Sequence, residues 1–282
     1  KKIAYMYFTK MHGAGNDYIY INGFTEHPAD LHTLAKTLSD RHFGVGSDGL
    51  VIILPSDICD FKMRMFNPDG SEAEMCGNAT RCIAKFVFDK GLTDKTELTL
   101  ETKAGVKKLR LYTQNGKVEQ VRVDMGEPIL SPDAIPVKSD RPILVSEPVE
   151  VDSGTFRMTC VSMGNPHAVI FLPDFETFDL HRIGRQIECH EMFPQRTNVE
   201  FAIVESPGQI RMRVWERGTG ETLACGTGAC ATLVAAVLNG ISARKAILKL
   251  SGGDLEIEWD ENDNHVYMTG GATTVFEGVW EQ

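Results

Sequence analysis

Apolar residues fall along this chain in short bursts, and most bursts are too brief for a helix. Residues 61–66 alternate polar and apolar side chains, the period of a half-buried strand. Residues 50–54 are a continuous apolar run, as in a strand covered on both faces. The same reasoning predicts first-half strands over 5–11, 18–21, 97–102, 107–112 and 118–124. In the second half it predicts strands over 156–162, 168–172, 198–204, 209–215, 246–250, 254–259 and 265–269. Helical spacing appears over 31–39, 76–90, 183–188 and 225–239. In the last of these, ATLVAAVL is apolar nearly all round, so that helix should be buried on most sides. Turns are predicted at HGAGND, at 44–49 and at Asn67-Pro68-Asp69-Gly70.

Strands outnumber helices, and their order repeats. Residues 126–149, with prolines at 128, 132, 136, 142 and 148, read as a crossover between the halves. The tail, 272–280, is β-rich and is expected to return to the first half and complete its sheet. The predicted fold is α+β, with two pseudo-symmetric domains. Each is a mostly antiparallel sheet or barrel wrapped around a central helix. The expected domains are 1–128 with 271–282, and 129–270.

A chain of 282 residues with 42% hydrophobic content can bury two such cores without metals or disulfides as staples. A net charge of -10 with no basic run argues against a nucleic-acid partner. No apolar stretch approaches the roughly 18 residues of a membrane helix, so no membrane partner is expected. The opening residues, KKIAYMYFTKMHG, show no h-region or cleavage site, and a cytoplasmic protein is expected. Seven cysteines, an odd number in a long chain, point to reduced thiols.

Two of those cysteines carry the chemistry. Cys76-Gly77 in MFNPDGSEAEMCGNATRC and Cys225-Gly226 in VWERGTGETLACGTGACA lie 149 residues apart. The same spacing relates Arg64 to Arg213, Glu72 to Glu221, and Gly15-Asn16 to Gly164-Asn165. Each half therefore places a Cys-Gly where a polar, glycine-rich turn meets a helix. A thiol at a helix N-terminus lies beside free N–H groups and the positive end of the dipole, which favour thiolate. The same N–H groups can hold a carboxylate. Two such half-sites suit proton transfer beside a carboxylate, with one sulfur as base and the other as acid. Cys59, Cys82, Cys160, Cys189 and Cys230 lack the repeated context and read as packing residues.

The motifs MHGAGNDY, GVGSDGL, FNPDGSEAEMCGNATRC, MGNPH, TNVEF and ERGTGETLACGTGACA, in this order, resemble the diaminopimelate epimerase family over most of the chain. The resemblance implies the two-domain fold of that family and interconversion of L,L- and meso-diaminopimelate in lysine and peptidoglycan biosynthesis. It implies no cofactor and no metal. Cys76 and Cys225 would be the catalytic pair, and Gly77, Asn78, Gly226 and Thr227 would offer N–H groups to the carboxylate at the reacting centre. Asn16, Asn67, Asn165, Asn198, Glu216 and Arg217 would contact the substrate, with Arg217 suited to the distal carboxylate and Glu216 to an ammonium. His167 would tune Cys76, and Glu216 would tune Cys225. The resemblance also implies a homodimer.

The chain departs from the common family pattern at Gly49, where many members have glutamine, and at Ala79-Thr80. It departs again at Phe276, where an aromatic hydroxyl is often seen at the dimer contact. A proline or hydroxyproline racemase of related fold is the nearest rival. Glu216-Arg217 argues against it, because a compact substrate has no distal zwitterion to bind. A metal-binding reading is disfavoured because neither cysteine segment contains CxxC and no histidine lies at ligand spacing nearby.

Overall fold

A continuous apolar strand can be buried only if both of its faces are covered, and that requirement shapes both halves of the chain. The computed structural model describes residues 5–281. It divides into two compact units, one ending at Val123 and resuming at Gly270, the other spanning Asp124–Thr269. The first crossing lies a few residues before the expected 128/129 boundary. Met125 N–H already bonds the Val266 carbonyl at 2.9 Å, and Val266 N–H bonds the Gly126 carbonyl at 2.8 Å.

In the first unit the strand order is Thr273–Glu281, Tyr5–Gly13, Asn16–Asn22, Leu50–Leu54, Phe61–Phe66, Glu97–Thr102, Gly105–Gln114 and Lys117–Asp124. Neighbours are antiparallel except at two junctions. Asn16–Asn22 runs parallel to Leu50–Leu54, joined through helix α1 (Leu31–Ser39). Phe61–Phe66 runs parallel to Glu97–Thr102, joined through helix α2 (Gly77–Asp89). The tail strand pairs antiparallel with Tyr5–Gly13, so sequence-distant segments close this unit.

The second unit repeats the plan with Glu147–Val151, Gly154–Ser162, Pro166–Phe171, Asn198–Ser206, Gln209–Glu216, Lys245–Leu250, Gly253–Trp259 and Val266–Gly271. Its two parallel junctions fall at the equivalent places, across helices α3 (Leu180–Glu188) and α4 (Gly226–Leu238). The fold is thus α+β, built of two units with matching strand order.

The period-two alternation of a strand decides what each helix sees. Ile19, Ile21, Leu50 and Ile52 form a core with Ala35 and Leu38 of α1, which leaves the opposite face, with Tyr18, Tyr20, Val51 and Ile53, for α2. In the second unit Ala168, Ile170, Val199 and Phe201 pack with Leu180, Ile183 and Ile187 of α3. Their neighbours His167, Val169, Glu200 and Ala202 therefore point the other way. Helix α4, packed against Gly154–Ser162, Pro166–Phe171, Asn198–Ser206 and Gly253–Trp259, is buried through most of its length.

Some elements were hidden in the sequence. Glu147–Val151 begins inside the proline-rich stretch and, among the described strands, pairs with Gly154–Ser162 at the end of the strand order. Pro148 is tolerated in it because an outer strand can lack an N–H donor. The short strands Glu72–Ala73 and Gly220–Thr222 lie inside glycine-rich turns. Helix α3 starts at Leu180, a turn earlier than predicted, because Asp179 caps it by accepting from Arg182 N–H at 3.1 Å. No helix among the described residues is long and apolar enough to cross a membrane.

Gly49 begins the approach to Leu50–Leu54 with φ +151°. A Cβ there would press on the Phe66 carbonyl and come within 2.9 Å of the Tyr18 ring. Gly49→Gln, the residue common elsewhere in the family pattern, should therefore cost about 1–3 kcal/mol of stability. The check is a urea unfolding curve, and an unchanged midpoint would contradict the strain.

Candidate active site

Each cysteine sits at the junction its sequence context predicts. Cys76 is the N-cap of α2 with φ -140° and ψ 125°, and Cys225 is the N-cap of α4 with φ -130° and ψ 111°. Extended backbone at the N-cap is what lets the chain turn into a helix. Glycines follow at 77 and 226, and both are buried. The N–H groups of Gly77, Asn78, Gly226 and Thr227 lie in the first turns, where no carbonyl one turn back exists to receive them.

The loops that deliver the cysteines are braced alike. Arg64 grips Glu72 with Nε–Oε1 2.9 Å and Nη2–Oε2 3.2 Å. Arg213 grips Glu221 with 2.8 and 3.1 Å. These forks cross the hairpins Phe61–Ala73 and Gln209–Thr222, in which Phe66 faces Glu72 and Trp215 faces Glu221. The Arg64 guanidinium, helped by Lys103, holds the Glu72 carboxyl down at about 2. Arg213, then His181, lowers Glu221.

In the first unit, Ala14 (φ 51°) and Gly15 (φ 81°) make a two-residue hairpin that sets Asn16 at the head of its strand. The Cys76 thiol donates to Asn16 Oδ1 at 3.2 Å, and Asn78 Nδ2 donates to the same oxygen at 3.3 Å. Asn16 Nδ2 donates to Asp48 Oδ2 at 2.8 Å. Asp48 is held by Arg41, whose Nη2 donates to Oδ1 at 3.1 Å, and Arg41 also forks onto Asp17. Arg81, fully buried in α2, donates to Asn78 Oδ1 at 2.8 Å and to the Gly271 carbonyl at 3.0 Å. Asn67 closes its own turn, with Nδ2 donating to Ser71 Oγ at 3.0 Å.

In the second unit, Cys225 Sγ accepts from Gly228 N–H at 3.4 Å and lies 3.5 Å from Thr227 Oγ1. Burial pushes this thiol well above its ordinary range, and the Glu216 and Glu200 carboxylates push in the same direction. His167 and Glu200 are both fully buried, with Nδ1 and Oε1 2.6 Å apart. His167 Nε2 donates to Asn165 Oδ1 at 2.9 Å, and Asn165 Nδ2 donates to Thr227 Oγ1 at 3.3 Å. A Cβ on Gly228 would lie 2.6 Å from Glu200 Oε1, so glycine is what permits this approach of helix to strand. Asn198 spends both ends of its amide on backbone: Nδ2 donates to the Pro166 carbonyl at 2.9 Å, and Oδ1 accepts from Arg217 N–H at 2.8 Å. The exposed Arg217 guanidinium donates to the Gln195 carbonyl at 3.1 Å. Glu216 accepts from Thr222 Oγ1.

The structure thus gathers Asn16, Asn78 and Gly77 around Cys76, and Asn165, Thr227, Gly226 and Glu216 around Cys225. Asn67 is engaged in its own turn, and Arg217 is tied to the segment holding Gln195 and Asn198. Sequence reasoning missed Asp48, Arg81 and Glu200. The signal for Glu200 was present, a lone charge inside the apolar run NVEFAIV.

Solved structures of other proteins share this fold. A hydroxyproline epimerase from Agrobacterium vitis superposes with TM-score 0.70 at 15% identity, covering 98% of this chain and 92% of its own. A methylitaconate-delta-isomerase superposes with TM-score 0.69 at 14% identity, covering 100% of this chain and 96% of its own. Such identities establish the fold alone. The sequence goes further. The family model for diaminopimelate epimerase matches residues 8–131 and 159–275. The diaminopimelate epimerase of Acetivibrio thermocellus is 62% identical over 97% of this chain and 98% of its own length. That of Methanococcus maripaludis strain C5 is 59% identical over 97% of this chain and 99% of its own. The chain belongs to the diaminopimelate epimerase family.

The paired braces give a pH dependence. Glu72 falls from its ordinary 4.5 to about 2 on folding. A depressed carboxylate contributes stability that is complete above its unfolded value and is lost as the pH falls towards its folded value. Wild-type protein should therefore lose stability between about pH 5 and pH 2, and Glu72→Gln should lose less over that window. Parallel denaturant titrations at both ends of the window decide this, and identical losses would remove Glu72 from the account.

Proposed function

We propose that this chain interconverts L,L-diaminopimelate and meso-diaminopimelate in the cytoplasm, by cofactor-independent proton transfer at one α-carbon in lysine and peptidoglycan biosynthesis. The observation that carries the reading is the twofold occurrence of a cysteine as N-cap of a glycine-initiated, sheet-covered helix. The α-proton of an amino acid is very weakly acidic, so the carbanion-like charge needs preorganised donors. The first-turn N–H groups of Gly77, Asn78, Gly226 and Thr227 supply them to the α-carboxylate. Cys76 and Cys225 act from opposite faces of the α-carbon. In one direction Cys76 takes the proton and Cys225 delivers one, and the roles exchange in reverse. Asn16, Asn67, Asn165 and the remaining Nδ2 hydrogen of Asn198 orient the zwitterion. Arg217, its guanidinium exposed, takes the distal carboxylate as a fork, and Glu216 takes an ammonium while tuning Cys225. His167 is assigned to tune Cys76, as the family resemblance implies.

We further infer a homodimer. Tyr5 and Tyr7 are 58% and 65% exposed, and Tyr7 lies opposite Val279, itself 51% exposed. This apolar face on adjacent antiparallel strands suits a second copy.

Incubation with L,L-diaminopimelate in D₂O should give the meso isomer carrying α-deuterium. Isomerisation without exchange would reject the two-base step, and no isomerisation would reject the substrate. Cys76→Ser and Cys225→Ser should each lower turnover about 100-fold or more. Sedimentation at tens of micromolar should give a dimer mass that Tyr7→Lys reduces. A monomeric wild type would refute the dimer.

A further inference from the structure

Asn16 and Asn165 occupy equivalent places 149 residues apart, yet they turn opposite ends of their amides to the helix. Asn16 directs Oδ1 at the Cys76 thiol and Asn78. Asn165 directs Nδ2 at Thr227, because its Oδ1 is claimed by His167 Nε2. The cause in the first unit is a charge at each end of one hydrogen-bond chain. Arg81 can only donate, so it takes Asn78 Oδ1 and leaves Asn78 Nδ2 to face Asn16. Asp48, an ionised carboxylate that only accepts, takes Asn16 Nδ2. Arg41 in turn holds Asp48 Oδ1. The position equivalent to Asp48 in the second unit is Thr197, whose hydroxyl donates to the Asn198 carbonyl, and the Asn165 amide instead meets His167 and Thr227.

We propose that Asp48 is a positioning residue that locks Asn16 with its carbonyl towards Cys76 and thereby strengthens Cys76 as a base. The proposal rests on the reading of Cys76 as the proton acceptor. An amide oxygen facing the sulfur accepts from S–H and offers nothing to a thiolate, so it stabilises the protonated product of proton abstraction. It also lowers the thiolate population at rest. Both consequences follow from one shift in the protonation of Cys76, and a residue needed merely for folding would not move that equilibrium in this direction.

The test uses Asp48→Asn. Arg41 would claim the oxygen of the new amide, leaving its nitrogen against Asn16 Nδ2 and forcing Asn16 to turn. Iodoacetamide labelling at pH 7, read on the Cys76 peptide by mass spectrometry, separates this thiol from the part-exposed Cys59 and the exposed Cys189. Labelling of Cys76 should become about threefold faster or more, and the pH at which its labelling rate reaches half its maximum should fall. Asn16→Ala should also speed labelling, and Asp48→Asn added to Asn16→Ala should change it no further. Unchanged or slower labelling in both single variants, with melting temperatures retained, would overturn the proposal. An equal Asp48→Asn effect in the absence of Asn16 would overturn it too. The labelling needs no substrate, so it stays decisive even if the epimerase reading fails, whereas loss of turnover alone would bear on that reading.

Discussion

A helix leaves the N–H groups of its first turn without carbonyl partners, and those groups must find another acceptor. In α2 and α4 the rest of the helix is buried by sheet, so the unmet donors and the capping sulfur are confined to one end. That confinement places a nucleophilic side chain and an anion-binding cradle together. The hairpin asparagines, the braced loops and the parallel junctions can all be understood as holding that end open and in register. Gly228 shows how narrow the tolerance is, since one added carbon would collide with Glu200.

Much of this was legible in the chain. The alternation over residues 61–66 and the apolar runs gave most strands, and the repeated Cys-Gly spacing located both N-caps to the residue. What could not be read were partners set by pairing between distant segments. Asp48 meets Asn16 because Asp48 N–H bonds the Asp17 carbonyl at 2.7 Å, and Glu200 meets His167 because Val169 stands opposite Glu200 in a parallel register. Neither fact has a local sequence signature. Pro148 misled for a different reason, since proline argues against a strand only where its missing N–H would be needed.

The duplication also shows what has been free to change. The Arg–Glu braces match in geometry to about a tenth of an ångström. The polar groups facing the helices do not match: His167 and Glu200 stand where the first unit has Tyr18 and Val51. The bracing contacts are alike in both copies while the side chains beside each sulfur differ, so the two sulfurs have different surroundings.

The pairing of Thr273–Glu281 with Tyr5–Gly13 has a consequence for the order of assembly in the cell. Synthesis runs from the N-terminus, so the first unit emerges early but lacks an edge strand until Thr273–Glu281 has left the ribosome. The second unit is contiguous and can close before then. The half made first is therefore completed last, and for most of translation the Tyr5–Gly13 strand presents an unsatisfied edge on which a chaperone, or a neighbouring nascent chain, could act.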